Sequence, residues 1–356
     1  MPHMTSAHDG SDDASDVWFA ARLVTEGLLA KVQAESALAK SAELASRGRA
    51  LSFAEIVMRM KWATAGEIAW MRDPIHPPRD LLPGIDLGAR IGSGGMAEVF
   101  AAVDATTRRP LAVKLLRPGL ARNPASVDAF HREAEAAAAC RHPSVVDVYY
   151  DHLHDGLHYL VMERIDGIHL REPLDAGRTF PEREALRLAL GAARALRAVA
   201  AAGWVHRDVK PSNFLLDRKG ALKLIDFGLA VPIGTGGGDG TAGTVTHLAP
   251  EQASGERIDP RADMFALGVT LFQWLFGKLP FDPDAAEGEL LDARTIFSLK
   301  SGDLKAMAVD HRTNFLVRKM MATERELRFT SWDALVTELE TMTSAAETRT
   351  DPRRSR

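Results

Sequence analysis

Apolar residues recur at helical spacing from about Ser15 to Arg72, with Trp18, Phe19 and Leu23 set among polar neighbours. A stripe of this kind is typical of helices that bury one face. Residues 1–14 are instead polar and rich in Asp, a composition that does not support a packed core. The pattern therefore predicts a disordered N-terminus followed by a helical module.

The helical region, residues 15–72, repeats itself. The segment 19–24 aligns with 53–58, and Leu28 and Leu29 align with Trp62 and Ala63, at an offset of 34 residues. Two copies of a helix pair could bury their apolar stripes against each other as a small bundle.

Two capping boxes and a proline-rich stretch punctuate this region. Ser52 with Glu55, and Thr64 with Glu67, have the spacing that starts a helix. Residues 73–83, which contain the sequence DPIHPP, break the helical pattern and are predicted to form a stiff linker.

After the linker, the pattern changes from strands to helices. Residues 85–116 read as three strands, and a further strand is predicted at 157–163. Helices are predicted after Pro124, from 181 to 202 and from 260 to 276, the last of them apolar on every side and therefore buried. The chain is thus predicted to be α+β, with the small all-α module in front.

Composition narrows the class of protein. Of the 356 residues, 46% are hydrophobic and 26% are charged, which suits a globular chain with a sizeable core. The net charge of −4 argues against a nucleic-acid or anionic-membrane partner. Cys140 is the only cysteine, so no intrachain disulfide can form, and no apolar run is long enough for a transmembrane helix. We therefore expect a cytoplasmic protein. Residues 343–356 are polar and are predicted to be a disordered tail.

The stretch from His206 to Gly228, HRDVKPSNFLLDRKGALKLIDFG, carries the candidate chemistry. Its first half places the carboxylate of Asp208, the cation of Lys210 and the amide of Asn213 in one loop. A short apolar strand then leads to a second carboxylate, Asp226. Phosphoryl transfer needs these groups, because the acceptor hydroxyl must be oriented, the phosphate charge neutralised and Mg²⁺ held.

Two motifs in the β-rich region extend this pattern. Residues 91–99, IGSGGMAEV, contain a GxGxxG-like loop whose third glycine is replaced by Ala97, followed by a strand rather than a helix. Glycines at a hairpin tip let the backbone close over phosphates. Residues 111–114, LAVK, then match a VAIK strand.

From these motifs, residues 84–342 resemble the bacterial eukaryotic-like Ser/Thr protein kinases. The resemblance implies a bilobal protein-kinase fold, with a β-rich N-lobe and a helical C-lobe. It also implies transfer of the ATP γ-phosphoryl group to Ser/Thr hydroxyls of proteins, with ATP and Mg²⁺ as cofactors, in a signalling role. A lysine two residues after the catalytic Asp is the Ser/Thr-kinase form.

The resemblance assigns a role to each catalytic group. Asp208 would orient the substrate hydroxyl and accept its proton, and Lys210 would neutralise the charge of the transferring phosphoryl group. Asn213 and Asp226 would ligate Mg²⁺, which prefers oxygen donors. Lys114 would contact the α- and β-phosphates.

Lys114 needs a carboxylate partner on the next helix. Phe130, Glu133 and Ala137 share one face of that helix, and a carboxylate on a buried stripe is costly unless it is paired. Glu133 is therefore the candidate, and Glu135 is the alternative.

By the same resemblance, the nucleotide contacts lie on the glycine-rich loop, the neighbouring strands and the hinge. Met162 would be the gatekeeper, and the Glu163 carbonyl and Ile165 amide would face adenine. The other predicted ATP-binding residues are Ile91, Gly92, Ser93, Gly94, Gly95, and the three that would sandwich the base, Val99, Ala112 and Leu215.

Four residues are predicted to act in regulation. Thr235 and Thr241, in the glycine-rich activation segment, are candidate autophosphorylation sites, and Arg207 would pair with a phosphate there. A flexible, unregulated loop is the alternative. Thr244 resembles the threonine that bridges the catalytic Asp and Lys in Ser/Thr kinases.

The same resemblance bears on further residues of the helical lobe. Asp263, on the buried helix, would hold the backbone of the catalytic loop, and Arg328 would pair with Glu251. His247 stands where many relatives have Tyr, which leaves the peptide-docking surface undetermined.

Two other functions compete with this interpretation. A nucleotide-binding scaffold acting through residues 15–72 is favoured only by Ala97 and His247, and neither removes a catalytic group. A small-molecule phosphotransferase would not explain residues 249–251, the APE motif. The helical module weakly resembles modules that precede bacterial kinases and secretion ATPases, and it could dock a substrate, self-associate, restrain the kinase or be a structural appendage.

Overall fold

The computed structural model describes residues 11–235, 245–280 and 309–349. They form two compact units. The first, called the sheet unit here, comprises the chain up to His131 together with Val148–Arg164. The second, the helical unit, comprises Arg132–Asp147 and the chain from Ile165 onward.

The sheet unit contains four helices and then the strands of one sheet. Its elements are α1 (Ser11–Thr25), α2 (Lys31–Ser46), α3 (Phe53–Arg59), α4 (Ala65–Arg72), β1 (Ile85–Ser93), β2 (Ala97–Asp104), β3 (Pro110–Leu116), the first half of α5 (Pro124–Ala139), β4 (Val148–His154) and β5 (Leu157–Glu163).

The four N-terminal helices pack as the repeat predicts. Both capping boxes are present, with Ser52 and Thr64 as N-caps of α3 and α4. Phe19 and Phe53, which are equivalent in the repeat, meet edge to face with their ring centroids 6.2 Å apart. Leu23 and others join them in one buried cluster, so the prediction of a small bundle is confirmed.

Helix α4 also contributes to the sheet. Trp70 is 1% exposed and packs with Leu82, Phe100 and Tyr159 in the core beneath the strands. The Trp70 and Phe100 rings meet edge to face at 6.3 Å. The segment predicted to be a linker therefore follows a helix that is already part of the sheet core.

The sheet is antiparallel throughout, with strand order β1-β2-β3-β5-β4. Its register places Val99 opposite Lys114, and Ala112 opposite Met162. The three strands predicted within 85–116 and the strand at 157–163 are confirmed.

The helical unit begins with the second half of α5 and continues from Ile165. Its elements are β6 (Gly167–His169), α6 (Arg171–Asp175), α7 (Glu182–Ala201), β7 (Trp204–Val205), β8 (Phe214–Asp217), β9 (Leu222–Leu224), β10 (Val231–Pro232), α8 (Pro250–Ala253), α9 (Arg261–Phe276), α10 (His311–Met320) and α11 (Trp332–Arg349).

Helix α9 is the centre of this unit. Nearly all of its residues are buried, as the apolar sequence predicts, and it ends at Gly277, whose φ of 70° lies in the left-handed region. Strands β8 and β9 form a hairpin directly after the catalytic loop, and β6 pairs with β8. A sheet-rich region is thus followed by a helical one, which confirms the predicted fold class.

Some boundaries differ from the predicted ones. Helix α1 begins at Ser11, inside the segment predicted to be disordered. Pro181 is the N-cap of α7 rather than its first residue. Helix α11 continues to Arg349, into the predicted tail. No helix among the described residues is long and apolar enough to cross a membrane.

Candidate active site

The catalytic loop brings three of the predicted groups together. The Asp208 carboxylate lies 2.8 Å from the Lys210 ammonium and accepts a hydrogen bond of 2.9 Å from the Asn213 amide. That amide also donates to the Asp208 carbonyl at 2.7 Å. Asp208 is 8% exposed, so its position is fixed by a cation and an amide in a largely water-excluded setting.

Asp263 holds the backbone of this loop from α9. Its carboxylate accepts hydrogen bonds from the His206 and Arg207 backbone N–H groups at 2.8 and 2.9 Å. Burial raises the pKa of the Asp263 carboxyl, while His206, the two N–H groups and Arg207 oppose that rise. The expectation that Asp263 anchors the loop is confirmed.

Two residues near these groups have left-handed backbones. Arg207 has a φ of 68° and Asp226 a φ of 64°. Non-glycine residues adopt this region at some cost, and such residues cluster at functional sites. The hydrogen bonds that the backbone N–H groups of His206 and of Arg207 itself donate to Asp263 offset part of the cost. Burial lowers the pKa of the Arg207 guanidinium, and Asp263 acts in the opposite direction.

The second predicted carboxylate, Asp226, is exposed at the surface of the helical unit. The next residue, Phe227, is buried, and its ring lies 5.0 Å from that of His206, beneath the catalytic loop. Glu133 belongs to the same unit, is 7% exposed, and places its Oε2 atom 3.5 Å from where a Cβ on Gly228 would lie. The alternative, Glu135, is exposed to solvent.

The donor set suits a hard cation. Asn213 uses its amide nitrogen in both bonds to Asp208, so those bonds do not consume the amide oxygen. Asp226 offers carboxylate oxygens, and Mg²⁺ is bound in proteins through one or two such groups together with substrate phosphates. Among the described residues there is no cluster of three or more His, Cys, Asp or Glu that could hold a metal by itself.

In the sheet unit, the glycine-rich loop spans the turn between β1 and β2. Ile91, Ser93, Gly94 and Gly95 are exposed, and Gly92 is half-buried. The Gly94 N–H donates to the Ala97 carbonyl at 2.9 Å, which closes the hairpin. The loop is thus an open backbone turn with no side chain larger than Ser between Gly92 and Gly95.

A charge cluster that the motifs did not indicate supports this loop. Glu98 is 5% exposed and pairs with Arg117 at 2.7 Å and with Arg90 at 3.3 Å. Arg117 also donates to the Gly94 carbonyl at 3.2 Å. The only sequence signals were a carboxylate inside an apolar strand and an arginine one residue past β3.

The other predicted nucleotide residues fall in both units. Lys114, Met162 and Glu163 are half-buried on neighbouring strands of the sheet unit, with Ala112 buried and Val99 half-buried beside them. In the helical unit, Ile165 follows the end of β5, and Leu215 lies on β8 opposite His169 and Lys223.

The predicted regulatory positions are only partly described. Thr235 is exposed, and its hydroxyl donates to the Pro232 carbonyl at 2.6 Å. Thr241, Thr244 and most of the glycine-rich stretch lie outside the described residues, as do residues 281–308.

The expected brace between Glu251 and Arg328 is confirmed. The two side chains form a bidentate ion pair at 2.6 and 2.8 Å, with the arginine 2% exposed. The remaining guanidinium N–H groups donate to the carbonyls of Ala322, Thr323 and Arg261. All five arginine donors are therefore satisfied, which a buried charge requires.

Cys140 and His142, just past the end of α5, serve packing rather than chemistry. Cys140 is 3% exposed, and burial raises the pKa of its thiol to about 11, so the reactive thiolate is scarce at neutral pH. The His142 ring accepts the Ser144 backbone N–H at 3.1 Å, and burial lowers its pKa.

Comparison with known proteins gives one family over most of the chain. A family model described as "Protein kinase domain" matches residues 85–339. A probable serine/threonine-protein kinase of Streptomyces coelicolor, SCO3848, is 42% identical over 220 residues, which are 59% of this chain and 33% of that protein. The serine/threonine-protein kinases PknB of Mycolicibacterium smegmatis and Mycobacterium tuberculosis are 39% and 38% identical over 217 residues, 58% of this chain and 35% of each relative. The chain thus spans about a third of the length of these relatives.

Proposed function

Because this chain belongs to the protein kinase domain family, we propose that it is an ATP-dependent kinase that phosphorylates Ser and Thr hydroxyls of proteins. The observation that carries the proposal is the contact of Asp208 with both Lys210 and Asn213 on a loop anchored by Asp263. A carboxylate held in this way can orient a hydroxyl and take its proton while a cation stands beside it.

The roles follow from the chemistry of each group. Asp208 would accept a hydrogen bond from the acceptor Ser or Thr. It would receive the hydroxyl proton as the hydroxyl oxygen bonds to the γ-phosphorus and the bond from that phosphorus to the departing ADP oxygen breaks. Lys210, 2.8 Å from that carboxylate, offers positive charge to the phosphoryl group in transit. Lys114 binds the α- and β-phosphates, with Glu133 as its partner, and Met162, Glu163, Ile165 and the apolar residues named above hold the base.

Asn213 and Asp226 would hold Mg²⁺, which when bound neutralises the charge of the phosphates. The glycine-rich loop would cover those phosphates with backbone N–H groups. The substrates would be proteins. The chain would also phosphorylate itself at Thr235 or Thr241 and act in signalling, in the cytoplasm. Arg207 would then pair with the new phosphate.

Phosphate transfer from γ-³²P-ATP with Mg²⁺ tests the proposal, with a generic protein acceptor and the chain itself as substrates. We expect acid-stable label on Ser or Thr, and a rate reduced by about 10²–10⁴ in Asp208→Asn, which loses the proton acceptor. Asp333→Asn is the matched control, because its side chain is 80% exposed on α11.

Label that persists in Asp208→Asn would contradict the role assigned to Asp208. A wild-type chain that binds ATP yet transfers nothing would contradict the kinase assignment and favour a scaffold. Transfer to metabolites but not to proteins would make the chain a small-molecule phosphotransferase. Peptide mapping after incubation with ATP tests autophosphorylation separately, and that part fails if neither Thr235 nor Thr241 carries phosphate.

A further inference from the structure

The helical module, residues 11–72, contacts the segment Arg117–Arg122 that leads from β3 toward α5. This segment lies directly after the strand that carries Lys114, and it contains a short 3-10 helix, Leu120–Arg122. The module and the segment belong to the same compact unit. Three independent contacts join them.

The first contact passes through Arg117. Its guanidinium lies 3.5 Å from the Glu26 carboxylate of the module, and it contacts Glu98 at 2.7 Å and the Gly94 carbonyl at 3.2 Å. The Arg117 backbone N–H also donates to the Met96 carbonyl at 3.0 Å. One side chain therefore links the module to the glycine-rich loop.

The second contact is a close approach of two backbones. A Cβ built on Gly119 would lie 1.9 Å from the Glu26 carbonyl oxygen, which is far inside any allowed distance. Gly119 has φ −61° and ψ −39°, which alanine adopts without strain. The absence of a side chain at position 119 is thus required by the approach of the module and not by the backbone dihedral angles of Gly119.

The third contact fixes the far end of the segment. Glu67 is fully buried and lies 2.9 Å from Arg122, which also donates to the Trp62 carbonyl at 3.1 Å. Beside it, the Gly66 N–H and the Thr64 hydroxyl donate to Asp155 in the β4–β5 turn, both at 2.5 Å. The module therefore contacts both Arg122, at the end of the segment, and Asp155, in the β4–β5 turn.

We propose that Glu26 and Arg117 are positioning residues for ATP, through which the helical module holds the glycine-rich loop. This inference rests on the proposed function, because ATP is the ligand that the loop would cover. The Arg117 guanidinium contacts the Gly94 carbonyl, the buried Glu98 carboxylate and the Glu26 carboxylate. Loss of Glu26 removes one of these two carboxylate partners. A loosened Arg117 leaves Gly94 less restrained, so ATP must order the loop when it binds.

The experiment compares steady-state kinetics and equilibrium ATP binding in three full-length variants. Glu26→Gln removes the charge that faces Arg117, and Gly119→Ala forces the same two elements apart. Glu35→Gln is the matched control, because that carboxylate lies on α2 in a solvent-exposed pair with Lys31. Circular dichroism verifies that each variant is folded.

We expect KM and Kd for ATP to rise about 2- to 5-fold in Glu26→Gln, with kcat unchanged. The effect is modest because the ion pair between Glu26 and Arg117 is partly exposed to solvent. Gly119→Ala should show a rise at least as large, and Glu35→Gln none. A purely structural role would lower the melting temperature of the variants and leave KM and Kd for ATP unchanged. Unchanged ATP affinity in folded Glu26→Gln and Gly119→Ala overturns the proposal.

Calorimetric titration with ATP and Mg²⁺ separates this inference from the proposed function. If the wild type binds ATP but transfers no phosphate, the kinase assignment fails, while the difference in Kd between wild type and Glu26→Gln still decides the positioning role. If the wild type binds no ATP, the positioning role is overturned as well.

Discussion

His247 is a buried imidazole whose neighbours define its hydrogen-bonding state. Its Nε2 atom lies 2.8 Å from the Gln273 amide oxygen, and its Nδ1 atom lies 3.0 Å from the Thr246 hydroxyl. A neutral ring satisfies both contacts if Nε2–H donates to Gln273 and Nδ1 accepts from Thr246. Burial lowers the pKa of this histidine to about 4, with Lys210 and Arg171 acting in the same direction and the Gln273 hydrogen bond and Asp208 in the opposite one.

This environment predicts a pH-dependent stability. Below its ordinary pKa of 6.5 the histidine takes up a proton in the unfolded chain, whereas the folded chain resists protonation down to about pH 4. The free energy of unfolding should therefore be fully retained above pH 6.5 and fall by up to about 1.4 kcal/mol per pH unit between pH 6.5 and 4.

Urea unfolding at several pH values, for the wild type and His247→Gln, checks this. The free energy of unfolding is plotted against pH for each protein. The difference between the two slopes isolates the contribution of His247, since other groups such as Asp263 titrate in both proteins. We expect the variant to lose less stability on acidification, whatever its stability at neutral pH. Equal slopes would contradict the prediction.

Sequence could predict the residues whose partners are close along the chain or set by a motif. The capping glutamates lie three residues from their caps, and Asn213 lies five residues from Asp208. The contact of Arg117 with Glu26 spans 91 residues and belongs to no motif, so nothing local indicates it. Arg328 and Glu251 are 77 residues apart and were predictable only from the family resemblance.

Glycines within helices show how packing between elements overrides local preference. In α9, a Cβ on Gly268 would lie 2.7 Å from Met321 Cγ and 3.0 Å from Met320 Cβ, at the end of α10. In α7, a Cβ on Gly191 would meet its nearest atom, Leu222 Cβ, at an ordinary 3.4 Å. The close approach of α9 and α10 thus depends on a missing side chain.

The two glycines should respond oppositely to the same substitution. Gly191→Ala should raise the free energy of unfolding by about 0.5–1 kcal/mol, because alanine is the better helix former. Gly268→Ala gains the same propensity but overpacks the helix contact, and we expect a net loss of about 1–3 kcal/mol. Chemical denaturation of both variants provides the measurement, and a stabilised Gly268→Ala would mean that the two methionines move aside at little cost.

Element type was predictable because periodicity is local, whereas element ends and packing partners were less so. The helices of the bundle, the three strands and the apolar helix α9 all follow from the spacing of apolar residues. The start of α1 at Ser11 does not, because its first turn is polar and carries no apolar signal. The burial of Trp70 against the sheet does not follow from the spacing either, because the amphipathic pattern of α4 shows which face is apolar and not what covers it.

At the scale of the whole molecule, α4 decides whether the bundle is a separate domain. Ile68 and Met71 lie in the core of the helical bundle, whereas Trp70, between them, lies in the core of the sheet. One helix of eight residues thus supplies both cores. An element shared in this way cannot unfold from one core without exposing part of the other, so the bundle and the sheet should lose structure together.

Phe53→Ala tests this coupling in the full-length chain. Phe53 is fully buried in the bundle, far along the chain from the strands, and its truncation should cost about 3–5 kcal/mol. If α4 joins the cores, hydrogen exchange should accelerate both in α1–α4 and in β2 and β3, because opening the bundle withdraws Trp70 from Phe100. Phe315→Ala is the matched control, because that phenylalanine is 65% exposed on α10 and should leave exchange in the sheet unchanged. Faster exchange confined to α1–α4 would instead describe a bundle that opens alone, and the sheet would then retain its core without the module.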